Sequence, residues 1–172
     1  ASVWTTHGLS FTRRSSGAAH TVFENRLRRV IRQTRLTICT TEAERGELAA
    51  IVGDDHARRL RVIANGLEPA PPADAALRER VRADLGVPSD EVVALFAGRL
   101  DDAKGVRDAV EAVAAARRTG TALTLLVAGD GPLAGVLREQ GADGVRLLGH
   151  RPDIGELLGA ADLFGLPSRR DG

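Results

Sequence analysis

Val92-Val93-Ala94-Leu95-Phe96-Ala97 runs into Gly98-Arg99-Leu100-Asp101-Asp102-Ala103-Lys104-Gly105 and then into Val106 to Arg118, whose apolar spacing is helical. An unbroken apolar run fits a strand covered on both faces, which belongs to a parallel sheet rather than to an antiparallel one with a wet side. The same unit recurs downstream. Leu123 to Ala128, Val145 to Leu148 and Leu163 to Leu166 read as strands, with helices at Leu133 to Gln140 and Ile154 to Ala160. Strands alternating with helices predict a doubly wound α/β unit.

Upstream of this unit the pattern is similar but shorter. Val3 to Thr6 reads as a strand, and His20 to Gln33 follows as a helix with Phe23, Leu27, Val30 and Ile31 on one side. Leu36 to Thr40 is the next strand. Thr41-Glu42-Ala43-Glu44 has the form of a capping start for a helix through Val52, closed by Gly53. Leu60 to Ile63 is a further strand. The stretch Glu68 to Asp74 carries Pro69, Pro71 and Pro72 and reads as a connector, because proline removes ladder donors. The spacing predicts a helix from Ala75 to Leu85 beyond it. Two domains are therefore expected, residues 1–67 and residues 68–172.

Of the 172 residues 43% are hydrophobic and 27% charged, the balance of a folded chain. The 24 basic and 23 acidic residues leave +1, so no global field favours nucleic acid, and none is expected as a partner. No apolar stretch approaches the about 20 residues of a membrane span, and no leader pattern opens the chain, so a cytosolic setting is expected. Arg26, Arg28, Arg29 and Arg32 in the first helix admit a peripheral contact with an anionic membrane surface, although a solvated helix face accounts for them as well. The single Cys39 excludes an internal disulfide and reads as a buried thiol. There is no Met, and the chain stops directly after a strand, so it is expected to be an excerpt of a longer protein.

In an open parallel sheet the ligand side is the carboxyl edge of the strands, where the loops after Ala97, Ala128, Leu148 and Leu166 fall. Gly98 and Gly105 bracket a loop holding Arg99 and Lys104, the only Lys of the chain. Two cations at a strand-to-helix junction suit an anion such as a phosphate. On charge alone, pairing of both with Asp101 and Asp102 is an equal reading. Gly129-Asp130-Gly131-Pro132-Leu133-Ala134 matches the dinucleotide fingerprint in form but lacks the acid about 20 residues on, and Arg151 stands there instead. An NADP-dependent oxidoreductase resting on Gly129, Gly131 and Arg151 thus stays open. His7 ends the first strand, and Asp171 follows two arginines after the last. No zinc motif, nucleophile elbow or metal-spaced cluster is present.

In order and spacing, Gly98-Arg99-Leu100, Lys104-Gly105, Val127 to Pro132, Leu147-Leu148-Gly149, Ala161 to Phe164 and Leu166-Pro167-Ser168 together resemble the retaining glycosyltransferases of family 4, which have the GT-B fold. Thr6-His7-Gly8 and Val62 to Gly66 resemble that family's acceptor-side histidine loop and the strand that crosses into its donor domain. The resemblance implies two Rossmann-like domains: the C-terminal part of the acceptor side in 1–67 and a donor domain, truncated at its end, in 68–172. It implies transfer of a sugar from a nucleotide diphosphate sugar to a glycan, lipid or small-molecule acceptor, with no metal and no cofactor besides the donor.

It also implies roles residue by residue. Arg99 and Lys104, beside Gly98, hold the diphosphate. The Gly149 to Arg151 loop meets the base. His7 lies near the transferred sugar, and Asp171 takes the first place of a motif of two carboxylates, normally both Glu. Asp171 is one methylene short, and the second carboxylate would fall at about position 179, past the last residue. The family's glycine-rich loop near the start is also missing, so this chain alone is expected to catalyse poorly. A noncatalytic nucleotide-binding remnant and a sugar-nucleotide epimerase of the same fold are the other relatives to weigh, and a place at the inner face of the membrane fits the family.

Overall fold

A computed structural model describes residues 2–6, 17–67 and 74–169. The described residues divide into two compact units, one ending at Leu67 and one beginning at Asp74.

The first unit has three parallel strands in the order β1 (Val3–Thr5), β2 (Leu36–Cys39), β3 (Leu60–Val62), with Val3 opposite Leu36 and Thr37 opposite Leu60. Helix α1 (Ala18–Gln33) buries Leu27 and Ile31 against Cys39, Leu48, Val52 and Leu60. Val30, at the rim of that stripe, remains 42% exposed. Cys39 is fully buried, and burial pushes its thiol pKa up, as does the neighbouring Glu44 carboxylate. Helix α2 (Glu42–Val52) starts as its sequence predicts: the Thr41 hydroxyl accepts the Glu44 amide at 3.1 Å, and Glu44 Oε2 accepts the Thr40 amide at 2.7 Å. Gly53, at φ 79°, ends α2 and opens a single turn, α3 (Asp54–Ala57), that no apolar period announces. Arg28 does not face outward with the other arginines of α1; its Nε donates to the Ile51 carbonyl at 2.6 Å, near the end of α2.

In the second unit β4 (Val92–Ala97), β5 (Leu123–Ala128), β6 (Val145–Gly149) and β7 (Leu163–Phe164) form a parallel sheet of order β6-β5-β4-β7. Successive strands step outward from β4 and the chain then returns to its other side, so the topological switch point lies between β4 and β7. The alternation along β4 separates two cores. Val93 and Leu95 face α4 (Ala75–Asp84) and α7 (Ile154–Ala160) through Val81, Leu157 and Ala160. Phe96, with Leu125 and Val127 of β5, faces α5 (Val106–Arg118) and α6 (Ala134–Gln140) through Val106, Val113 and Leu137. Every residue of β5 is buried, which is why its sequence shows no alternation.

The last strand is shorter than its apolar run. It pairs with β4 only at Leu163 and Phe164, and after Gly165 donates to the Leu95 carbonyl the chain turns away through Pro167. Among the described residues no helix is long and apolar enough to cross a membrane.

Candidate functional site

Three strand-end loops of the second unit are joined by backbone hydrogen bonds into one rim. The Gly98 amide continues the β4–β5 ladder to the Ala128 carbonyl at 3.0 Å, and Leu100 donates to Asp130 and accepts from Leu133, at 2.9 and 3.0 Å. The Gly129 amide reaches the Gly149 carbonyl at 2.7 Å. This closeness requires glycine. Gly129 has φ 143°, and a Cβ there would run into the Gly98 carbonyl, while one on Gly131 would meet the Leu100 backbone.

Above this rim lies a cavity of about 520 Å³, lined by Gly98, Arg99, Gly129, Asp130, His150 and Arg151 among others. It brings together Gly98, Arg99, Gly129 and Arg151 of the residues singled out in the sequence. Gly149 supports it from below through the bond to Gly129. Lys104 lies at the far end of the β4–α5 loop and is not part of this lining. His150 and Asp130 line it too; neither is singled out by itself in the sequence, although Asp130 stands between Gly129 and Gly131 and His150 lies in the Gly149 to Arg151 loop. His7 and Asp171 lie outside the described residues.

The charges of the first loop are organised by Asp101. Its Oδ1 accepts the Lys104 amide at 2.9 Å and its Oδ2 pairs with Arg99 Nη2. The Asp101 side chain is 12% exposed and that of Arg99 68%, so the acid is fixed and the base reaches into solvent. The Lys104 amide, with the Arg99 guanidinium and against the effect of burial, holds the Asp101 carboxyl below its usual range. Asp102 faces Arg107 at 3.4 Å instead of joining this group. Of the ion pairs that charge alone suggested, the one between Arg99 and Asp101 exists.

The loop after β7 packs on the same structure. Gly105 sits at φ 70°, and a Cβ on it would strike the Pro167 carbonyl. The Arg169 amide donates to the Ala103 carbonyl at 2.8 Å, and its guanidinium forks onto Asp108, with Nε 2.8 Å from Oδ2.

Arg151 is likewise occupied. Its Nε donates to Asp153 Oδ1 at 2.7 Å and its Nη2 to Oδ2, a two-pronged pair that raises the guanidinium pKa and lowers that of the carboxyl. The bare faces of Gly129 and Gly131 are turned to protein backbone and Arg151 to its own carboxylate, which argues against the dinucleotide reading of these three residues. Among the described residues no three His, Cys, Asp or Glu side chains gather as a metal site.

The architecture is that of the GT-B glycosyltransferases. The Anabaena protein Alr3699/HepE, solved in complex with UDP, superposes with a TM-score of 0.77 over 98% of this chain and 47% of its own, at 23% identity. WaaG, a glycosyltransferase involved in lipopolysaccharide biosynthesis, does so with a TM-score of 0.77 over 98% and 50%, at 18% identity. By sequence, residues 91–172 match the family described as Glycosyl transferases group 1. Fold and sequence agree: the fold is that of GT-B proteins, and the match to Glycosyl transferases group 1 covers residues 91–172, just under half of the chain. TuaC of Bacillus subtilis (strain 168), which bears the name of a teichuronic acid biosynthesis glycosyltransferase, is 34% identical over 97 residues, 55% of this chain and 23% of TuaC. EpsF of the same organism, named as a glycosyltransferase, is 26% identical over 153 residues, 84% of this chain and 39% of EpsF. The chain thus spans well under half the length of these two relatives.

Proposed function

We propose that this chain carries the donor side of a glycosyltransferase that moves a sugar from a nucleotide diphosphate sugar to a glycan, lipid or small-molecule acceptor, with retention of anomeric configuration in the manner of family 4. The observation that carries the reading is the cavity at the carboxyl ends of β4 and β5, where Arg99 reaches outward between two loops drawn close by glycines. The rim glycines let the loops after β4 and β5 pack closely beneath the cavity, and the Arg99 guanidinium above them offers a diphosphate a fork of donors. The complex of HepE with UDP and glucose supports a donor of this kind.

In the proposed reaction the anomeric carbon–oxygen bond to the diphosphate breaks and the electron pair stays on the departing oxygen, where Arg99 and Lys104 offset the added charge. The acceptor oxygen then bonds to the anomeric carbon on the same face, and the proton of its hydroxyl passes to the departing diphosphate oxygen. His7 and Asp171 are assigned to the sugar end, and the Gly149 to Arg151 loop, with His150, to the base. Residues 1–67 are assigned to the acceptor side.

Calorimetric titration of the 172-residue chain tests this reading. UDP is expected to bind, and Arg99→Ala to weaken it about a hundredfold, as the loss of charge-assisted hydrogen bonds would do. NADP is expected not to bind. Binding of NADP that depends on Arg151 and is indifferent to Arg99 would replace this reading with the oxidoreductase one. Transfer of glucose from UDP-glucose by this chain alone is expected to be very slow.

A further inference from the structure

Arg99 and Lys104 are five positions apart, and the loop between them is held from outside at the Ala103 carbonyl, which accepts the Arg169 amide at 2.8 Å. Leu100 is buried and hydrogen-bonded through both its amide and its carbonyl, and Val106 is buried where α5 begins. Between these two fixed points one side chain touches the residues on either side of it. Asp101 accepts the Lys104 amide with one oxygen and pairs with Arg99 through the other, from a position almost closed to solvent. We propose that Asp101 is a positioning residue for the diphosphate site: a single carboxylate aims the Arg99 guanidinium and shapes the turn that presents Lys104. The proposal rests on the donor-site reading above.

The geometry favours aiming over masking. Asp101 engages Arg99 through Nη2. A guanidinium has five N–H donors, so Nε and Nη1 remain to meet phosphate oxygens. Tethering one end of a long, exposed side chain also lowers the conformational entropy lost when a ligand orders it. The competing consequence is electrostatic, because a carboxylate close to a diphosphate repels it. The two effects predict opposite results for the same substitution.

Asparagine at 101 keeps the shape but turns an amide NH₂ toward one of two donors, so it can accept from Lys104 or from Arg99 and not from both. If Asp101 aims Arg99, Asp101→Asn weakens UDP binding about tenfold, the size of one charge-assisted contact. In an Arg99→Ala background, titrated by NMR, the same change should fall to within about twofold, which a general loss of structure would not produce. In the unliganded chain, Asp101→Ala should raise hydrogen exchange at the Lys104 amide at least about tenfold and leave β4 and β5 amides unchanged. Unchanged or tighter UDP binding by Asp101→Asn overturns the proposal, as does an undiminished effect without Arg99. With UDP binding intact, an unchanged Lys104 exchange rate sinks the positioning role alone. Failure of the folded parent chain to bind UDP at millimolar concentration sinks the donor-site reading and Asp101's role with it.

Discussion

Arg82 Nη2 and Asp162 Oδ2 meet at 2.6 Å across 80 positions of sequence. Arg82 is buried, and its other nitrogens donate to the Ala160 and Glu91 carbonyls, both at 3.0 Å. Asp162 accepts in addition from Arg78 and from the Val93 amide, the latter at 2.8 Å, while its own amide donates to the Val93 carbonyl. One ion pair therefore joins α4, the end of α7 and the first pairing of β7 with β4, at the strand edge opposite the cavity.

Arg82→Met tests how much this junction contributes. Removing Arg82 leaves the Ala160 and Glu91 carbonyls without that donor and Asp162 Oδ2 with the Val93 amide alone, a change that costs about 3 kcal/mol. Urea unfolding should show a lower midpoint with an unchanged slope. A loss below about 1 kcal/mol would mean that Arg78 and water replace Arg82 and that packing alone holds α4 in place.

The same pair sets an acid limit on stability. Burial pushes the Asp162 carboxyl up, but the Val93 amide, Arg78 and Arg82 outweigh it and bring the pKa from 3.8 down to about 2. A depressed folded-state pKa contributes stability in full above the unfolded value, and that stability is lost as pH falls through the folded one. Stability should thus decline as pH drops from about 4 to about 2, by on the order of 2 kcal/mol from this group. Asp162→Asn removes this contribution to the slope, which unfolding curves taken at several pH values would register. An identical slope in parent and variant would assign the acid sensitivity elsewhere.

Much of this architecture is legible in the chain because burial on both sheet faces writes long apolar runs. β4, α5, β5 and α7 begin and end where the runs Val92–Ala97, Val106–Arg118, Leu123–Ala128 and Ile154–Ala160 predict. β7 is shorter than its run because strand pairing needs a partner at each position, and the chain leaves β4 after Gly165. Arg99 and Arg151 were recognisable as strand-end cations. Their carboxylate partners, Asp101 and Asp153, were not separable from neighbouring acids by charge. His150 and Asp130 enter the cavity only through the parallel alignment of β5 with β6. Nothing in the predicted helix Ala75 to Leu85 singles out Arg82, since no local pattern reports a partner 80 positions away.

The glycines of the rim separate strain from steric exclusion. Gly149 has φ 70° and open space around its Cβ position, so Gly149→Ala costs only the left-handed conformation, about 1 kcal/mol. Gly129→Ala adds a collision with the Gly98 carbonyl to an unfavourable φ of 143°, and the loops after β4 and β5 must part; about 3 kcal/mol is expected. Urea unfolding of the two variants should rank them in that order. Equal costs would show that the two loops separate without resistance.

Asp108 and Arg169 give the opposite expectation, an interaction that matters locally and little globally. Arg169 is 62% exposed in this pair, and exposed ion pairs contribute little to global stability. The Arg169 guanidinium holds the Asp108 carboxyl below its ordinary range, so the pair persists at neutral pH. Asp108→Asn should leave the urea midpoint nearly unchanged, yet exchange at the Arg169 amide, bonded to Ala103 at 2.8 Å, should rise several-fold. High salt should act in the same direction in the parent chain but more weakly than the substitution, because a pair in contact lies within the roughly 3 Å screening length at about 1 M salt. Exchange at Arg169 that responds to neither change would place the hold on this loop with Pro167 against Gly105 rather than with the fork.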